Sequence, residues 1–301
     1  MQDRLAVVVV NYGSHDMLLA NLRGIGRPEL DPLVVVVDNP TTADERARLC
    51  RLAEETGWHT VLPQANLGFG AGINLGVAHA RALGARTFLI LNPDARIAGS
   101  DLAALWERHA RTPWSLVAPV VRRPDGSVWS RGSHLRLDSG SHGPLRSEPD
   151  TRVLPWISGA CFVVGEALWD ELGGFDEDYF LYWEDVDLSV RATRAGAELI
   201  VVDDAEAVHD EGGTQSDRRG HARGKSDLYY YYNIRNRLLF AAKLLDDADL
   251  RRWRRRAVRA AHDVLLQGGR RQFGRPLRPL RAAVRGTVAG LVTARRLRPQ
   301  R

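Results

Sequence analysis

Three continuous runs rich in β-branched and other apolar residues, at positions 5–10, 33–37 and 87–91, limit what this chain can fold into. A strand with one wet face alternates apolar and polar side chains. A strand covered on both faces does not, and that is the habit of parallel sheets sandwiched between helices. The intervening stretches 16–24, 44–56 and 71–83 read as helices. Strand and helix thus alternate through about the first hundred residues, which predicts an α/β fold on a Rossmann-like, mostly parallel central sheet flanked by helices.

Ligands of such sheets bind beyond the carboxyl ends of the strands. The residues there are Asn11-Tyr12-Gly13-Ser14, Asp38-Asn39-Pro40 and Asn92-Pro93-Asp94. Further on, residues 122–152 are rich in Gly, Ser, Pro and Arg and read as a loop or small hairpin. Residues 156–164 read as a strand, 184–195 as a helix and 198–202 as a strand. A long helix is expected after Gly224, and there is no internal repeat.

Charge is distributed unevenly. Residues 251–301 hold 16 arginines and one acid, Asp263, whereas the preceding 250 residues carry a net charge of −10. An acidic body with a basic tail is unlike a general nucleic-acid binder, whose positive face lies on its folded core, so no nucleic-acid partner is expected. The two cysteines, Cys50 and Cys161, are far apart and show no metal-ligand spacing, which fits a reducing compartment. The first residues lack the basic lead and length of a signal peptide, and no apolar run approaches the ~18 residues that cross a bilayer. A cytoplasmic protein is the expectation.

Several residues could carry chemistry. Asp94, just past the third run, suits a hard divalent ion that takes one or two protein carboxylates and completes its shell with phosphate and water; it also suits a plain turn. Asp38 could accept a hydrogen bond from a nucleobase or ribose, or close an Asx-turn. Tyr12 could stack on a base or end a core strand. The glycines of Asn66 to Ala80, NLGFGAGINLGVAHA, allow close backbone approach to a phosphate at a helix N-terminus. The densest cluster is GGFDEDYFLYWEDVDLSVR, in which Glu184, Asp185 and Asp187 open a helical pattern. Acids favour that position because the helix dipole is positive there, and Asp187 with Arg191 forms an i,i+4 pair. The aromatic flanks, Trp183 among them, also suit a cleft in which a carboxylate takes a proton from a hydroxyl. His209 follows a further strand and acid-rich turn.

Taken in order, NYGS, VVVVDNPT, NLGFGAGIN, LNPDA, ISGACFVV, GGFDEDYFLYWEDVDLSVR, Val208-His209 and IRNRLLF resemble the family 2 inverting glycosyltransferases with a GT-A fold, most nearly the bacterial rhamnosyltransferase-like branch. The resemblance spans about residues 5–240, and the GGFDE…WEDVDL block carries most of it. It implies a glycosyltransferase domain over residues 1–250, with a nucleotide part at 1–121 and an acceptor part at 153–250. It also implies roles. Tyr12 packs on the nucleobase and Asp38 hydrogen-bonds it, while Asn66, Gly68 and Asn74 line the donor site. Asp94 matches the last acid of the family's DxD motif, which holds Mg²⁺ or Mn²⁺ against the diphosphate, and Asn92 replaces the first acid. His209 matches a position that completes the metal shell in some relatives. Asp185 matches the general base and Glu184 supports it or touches the acceptor. Arg235 and Asn236 match a recurring pair of open role. The QxxRW signature of processive relatives is absent, so one sugar is transferred per encounter. The expected donor is a nucleotide-diphosphate sugar, dTDP-L-rhamnose first, and the expected acceptor a lipid-linked saccharide or other glycan, with a soluble secondary metabolite as the alternative.

The tail interleaves arginines with Trp253, Val258, Val264, Leu265, Leu277, Leu280, Val284, Val288 and Leu291. It reads as one or two basic amphipathic helices on an anionic membrane surface, which would put the enzyme on the inner face of the plasma membrane; a solvated appendage or an oligomer contact is the other reading. Competing classes lack their signatures. A nucleotidyltransferase needs a Gly-rich basic loop, and a dehydrogenase GxGxxG, after the first strand, where this chain has NYGSHD. A non-catalytic nucleotide-binding homologue would keep the fold without needing Asp94, Asp185 and His209 together.

Overall fold

The structure, a computed structural model, describes residues 4–26, 30–144, 152–210, 225–269 and 277–298. The first half runs β1 (Arg4–Asn11), α1 (His15–Leu22), β2 (Leu33–Asp38), α2 (Ala43–Thr56), β3 (His59–Val61), α3 (Gly70–Ala82), β4 (Ala85–Leu91), β5 (Ala95–Ile97), α4 (Gly99–Arg111) and β6 (Ser115–Arg122). The second continues through β7 (Val128–Ser130), β8 (Ser133–Arg136), β9 (His142–Pro144), β10 (Val153–Trp156), β11 (Cys161–Gly165), α5 (Glu166–Leu172), a 3₁₀ turn (Glu177–Tyr179), α6 (Glu184–Arg194) and β12 (Glu198–His209). Four helices close the described chain: α7 (Asp227–Leu244), α8 (Asp247–Arg255), α9 (Ala257–Leu266) and α10 (Arg278–Leu297).

The central sheet has the order β3-β2-β1-β4-β11-β6-β12-β5, with β7 beside β6; a second sheet has the order β10-β8-β9. Strands β1 to β4 are mutually parallel, as the unbroken apolar runs predict. Val7, Val8, Val9, Val35, Val36 and Val37 are wholly buried, because helices cover both faces. Helix α3 lies unusually close. A Cβ at Gly72 would sit 2.7 Å from Val10, and one at Gly76 2.5 Å from Val8, so only glycine allows this approach.

The sequence reading differs from the structure in three places, each for a physical reason. The predicted strand at 156–164 is two strands in two sheets, β10 and β11. Between them, side chains take the backbone donors that a ladder would use: Ile157 N–H goes to Ser189 Oγ and Gly159 N–H to Asp185 Oδ2. Strand β11 enters the sheet antiparallel to both β4 and β6, which interrupts its parallel order. The strand expected at 198–202 runs on to His209, with a register shift between Val202 and Glu206 that lets it follow β6 and then pair with β5.

The basic segment also differs in form. It holds three helices, and residue 251 falls inside α8. Trp253 and Leu265 are buried, Trp253 against Trp183 and Phe240. The small face of α10, made of Ala282, Ala283, Gly286, Gly290 and Ala294, packs on α7. The segment is thus docked on the rest of the fold through α7. Val258, Leu277, Leu280, Val284 and Val288 remain exposed. Residues 270–276 and 299–301 of the predicted tail lie outside the described residues, as do 145–151 of the predicted hairpin. Among the described residues no helix is long and apolar enough to cross a membrane.

Candidate active site

The carboxyl ends of β1 and β2 are joined by their own polar side chains. Asn11 Nδ2 donates to Asp38 Oδ1 at 2.8 Å, and Arg46 Nε on α2 donates to Asp38 Oδ2 at 3.2 Å. Asp38 is 3% exposed, so a nucleobase would meet it only as one more donor to oxygens already in use. Tyr12 is 52% exposed at the same strand end, a free aromatic face where a base could stack. Asn39, which the sequence reading assigned no role, grips the next loop. Its Nδ2 donates to Gly68 O and its Oδ1 accepts from Leu67 N–H, while Asn66 Oδ1 accepts from Gly68 N–H.

Two donor-site expectations change. Asn74 does not face the strand ends. Its amide spans the Gly173–Glu177 turn, donating to Phe175 O and Glu177 Oε1 and accepting from Phe175 N–H, so both its amide hydrogens serve the packing of α3 against that turn. Gly68 is required first by contact. It has φ +80°, and a Cβ there would stand 2.2 Å from Phe180 O.

Past β4, the Asn92–Asp94 turn leads into β5, whose pairing with the end of β12 sets Ala95 opposite His209. This register brings His209 Nε2 to 3.1 Å from Asp94 Oδ1, both side chains buried, with the Trp129 ring edge-on to the imidazole at 4.7 Å. His209 Nδ1 has no partner among the described residues. A carboxylate oxygen and an imidazole nitrogen therefore converge on one small space. Among the described residues no third Asp, Glu, His or Cys joins them. That donor set fits a divalent ion that draws the rest of its shell from a diphosphate and water.

The acid cluster opens α6. Asp187 is 1% exposed and fully engaged, accepting from Tyr179 OH at 3.1 Å and Arg191 Nε at 2.6 Å. It locks α6 to the turn before it, so the i,i+4 reading holds for this acid. Asp185 points the other way. Its Oδ2 accepts from Gly159 N–H at 3.0 Å and its Oδ1 from Val186 N–H at 2.8 Å. Burial raises its pKa, and these backbone donors oppose the rise. Glu184 is buried, and its Oε2 has no partner among the described residues. Desolvation, and then the neighbouring Asp185 charge, holds its carboxyl well above the usual range. Of the pair, Asp185 ionises first because only its side chain is held by backbone donors from two segments.

One segment connects the two acid sites. Asn92 N–H donates to Ala160 O, and the preceding residue, Gly159, donates to Asp185. The loop that bears Asp94 and the helix start that bears Asp185 are thus each one hydrogen bond from adjacent residues.

The aromatic turn before α6 is strained. Phe180, Tyr182 and Trp183 all have positive φ, at 59°, 68° and 75°. Trp183 is buried between His142, Phe240 and Trp253. The Arg235-Asn236 pair of α7 meets this turn. Arg235 donates to Asp178 O, and Asn236 donates to Tyr179, Leu181 and Tyr182 carbonyls.

The sheet order, the buried Asp94–His209 pair and the backbone-held Asp185 carboxylate fit a GT-A glycosyltransferase. A family model described as "Glycosyl transferase family 2" matches residues 6–170, and the chain belongs to that family. It is 29% identical over 309 residues to N-acetylglucosaminyl-diphospho-decaprenol L-rhamnosyltransferase of Mycobacterium tuberculosis (strain CDC 1551 / Oshkosh), covering 86% of this chain and 98% of the relative. It is 24% identical over 248 residues to the low-salt glycan biosynthesis hexosyltransferase Agl10 of Haloferax volcanii, covering 79% and 76%. The fold is shared with the mannosyltransferase PcManGT of Pyrobaculum calidifontis, solved with GDP-Man and Mn²⁺, at TM-score 0.57 and 18% identity over 99% of this chain and 85% of that one. It is shared also with GalNAc-T7, solved with UDP, GalNAc and Mn²⁺, at TM-score 0.59 and 15% identity; this chain covers 55% of that protein's length. The protein is a family 2 glycosyltransferase, and its similar proteins include a rhamnosyltransferase.

Proposed function

We infer that this chain transfers one sugar, with inversion, from a nucleoside-diphosphate sugar to a hydroxyl of a lipid-linked saccharide. The observation that carries this is the shared 158–160 segment, which ties the Asn92–Asp94 turn and Asp185 to neighbouring peptide groups. A donor held at the first site would present its anomeric carbon to an acceptor held at the second.

Asp185 accepts the acceptor's proton as the hydroxyl oxygen bonds to the anomeric carbon, and the carbon–oxygen bond to the diphosphate breaks on the opposite face. The two backbone N–H groups on Asp185 fix its direction and favour its charged form, while burial favours the neutral form of Glu184. A divalent cation, Mg²⁺ or Mn²⁺, would be held by Asp94 and His209 and would supply charge neutralisation to the departing diphosphate. Tyr12 offers the base a stacking face, Asp38 a further acceptor, and the Asn66–Gly68 loop approaches the phosphates.

The name of the rhamnosyltransferase relative supports L-rhamnose as the sugar and a polyprenyl-diphosphate saccharide as acceptor, and dTDP-L-rhamnose is the donor we propose. Such an acceptor lies in a membrane, and the outer face of α10 suits one. Leu280, Val284, Val288 and Val292 are exposed at four-residue spacing, beside Arg281 and Arg285. Each basic residue near anionic lipid adds about 1 kcal/mol at most, so a few suffice for peripheral attachment at the inner face of the plasma membrane.

A thermal-shift screen of nucleotide sugars with and without Mn²⁺ tests the donor reading. The matching donor stabilises the chain by mass action, and does so only with metal present. Equal stabilisation in chelator would remove the cation from the scheme. Flotation with anionic vesicles at low salt tests the membrane reading, which fails if the protein stays with the soluble fraction.

A further inference from the structure

We propose that Asn236 is a positioning residue for the acceptor side of the site: its amide holds the strained Phe180–Trp183 turn in the one conformation that aims Asp185. The proposal rests on the reading of Asp185 as the base.

Bulky residues in the left-handed region are costly, and such turns persist only when their surroundings over-determine them. Three of the four residues before Glu184 are of this kind, and only Leu181 is not. Asn236 is fully buried, and its Nδ2 lies 2.8 Å from each of three carbonyl oxygens, those of Tyr179, Leu181 and Tyr182. An amide nitrogen carries two hydrogens, so three converging carbonyls share them. That arrangement gathers the backbone of the whole turn around one point. The amide cannot flip, because Asn236 Oδ1 accepts from Arg235 Nη1 at 2.7 Å, and the same nitrogen of Arg235 donates to Asp178 O at 2.7 Å. Lys243, two helical turns further along α7, holds Asp176 and Asp178 at 2.5 and 2.6 Å.

The turn is closed from the donor side as well. Phe69 N–H, at the entry to α3, donates to Phe180 O at 2.8 Å, and Gly68 leaves the space for that oxygen. Phe180 stacks on Tyr232 at 5.1 Å. The output of the turn is the start of α6. Trp183 O accepts from Asp187 N–H, which begins the helix two residues before Asp185 reaches Gly159. Asn236 therefore acts on the carboxylate through the direction of the first helical turn and touches neither reactant. The Asp187 side chain cannot take over this task, because its oxygens bond Tyr179 and Arg191 and none of Phe180 to Trp183.

The test is Asn236→Ala in the full chain, read by steady-state turnover and by titration with the nucleoside diphosphate plus Mn²⁺. The expected result is a kcat lower by about 30-fold or more, with nucleotide Kd within about threefold of wild type and one nucleotide still bound per chain. A merely structural role would lower the binding stoichiometry in step with kcat, and that outcome overturns the proposal. So does a folded variant with kcat within threefold of wild type. Should Asn236→Ala fail to fold, Arg235→Met decides. It removes the group that orients the amide from a less buried position, and is expected to lower kcat about tenfold at unchanged nucleotide stoichiometry; unchanged kcat counts against the proposal. Asp185→Asn run in parallel separates the two readings. If it keeps its turnover while Asn236→Ala loses it, the base assignment is wrong and the clamp remains.

Discussion

The two sides of the proposed site, a donor side at the ends of β1, β2 and β4 and an acceptor side at the start of α6, are built differently. On the donor side, β1, β2 and β4 each end in a short polar turn with no strained non-glycine residue, and the partners there are near neighbours across parallel strands. On the acceptor side, Asp185 is held by a glycine 26 residues away, and the turn before it by an asparagine more than 50 residues on. The donor side is stabilised by the sheet itself. The acceptor side stores strain and depends on α7 to keep it. Function-directed substitutions should therefore separate the two sides: changes near Asp185 should affect turnover and spare nucleotide binding, and changes near Asp94 should affect metal and nucleotide together.

The largest expected effect is at Asp185. Asp185→Asn keeps the shape and removes the proton acceptor, so kcat should fall about 10³-fold while nucleotide affinity stays within a few-fold. Coupled loss of nucleotide binding would show that the two sides do not separate. Next is His209→Ala, which should weaken Mn²⁺-dependent nucleotide binding by at least ~10–100-fold, measured by titration calorimetry across metal concentrations. A metal response like that of wild type would limit the cation site to Asp94.

The third effect is on stability. Asp187→Asn breaks a buried pair with Arg191 and should cost about 3 kcal/mol in urea unfolding, more than an exposed pair would. The smallest effect on turnover is expected at Glu184→Gln, within about threefold of wild type, because burial already favours the neutral form of this carboxyl. Its signature is in pH dependence. The folded chain keeps a proton that the unfolded chain releases near the ordinary carboxylate pKa of about 4.3. The contribution is therefore fully present below that pH and is lost as pH rises toward the elevated folded value. Glu184→Gln should flatten this loss in melting temperature against pH. For Asp185 the sign is the same, and it sets an acid limb: kcat/KM should fall as pH drops through a value above the usual 3.8.

Much of this was legible in the sequence. The buried runs gave the parallel strands, the strand-end rule led to Tyr12, Asp38 and Asp94, and the spacing of Asp187 and Arg191 gave their pair. In sequence the glycines of α3 suggest a phosphate-facing loop, and the structure shows Gly72 and Gly76 serving helix–strand contact. Asn74 and Asn39 illustrate why. One asparagine looks like another in sequence, and only the fold decides that Asn74 spans the Phe175 backbone and Asn39 the Gly68 loop. Gly159 carried no signal as a donor, since any residue but proline supplies an N–H.

What the sequence determined by itself was periodic or local: apolar runs without alternation, polar strand ends, acids at a helix start, and the charge imbalance of the last 51 residues. Those features depend on neighbours a few positions away, and backbone geometry alone turns them into structure. The tertiary structure alone decided which acid is a lock and which is held by Gly159, that His209 lies against Asp94, that the basic segment is docked on α7, and that Asn236 grips a strained turn. The Asp94–His209, α10–α7 and Asn236 contacts each join residues more than 50 positions apart, and Asp185 takes a backbone N–H 26 residues away; such contacts leave no pattern in a linear chain.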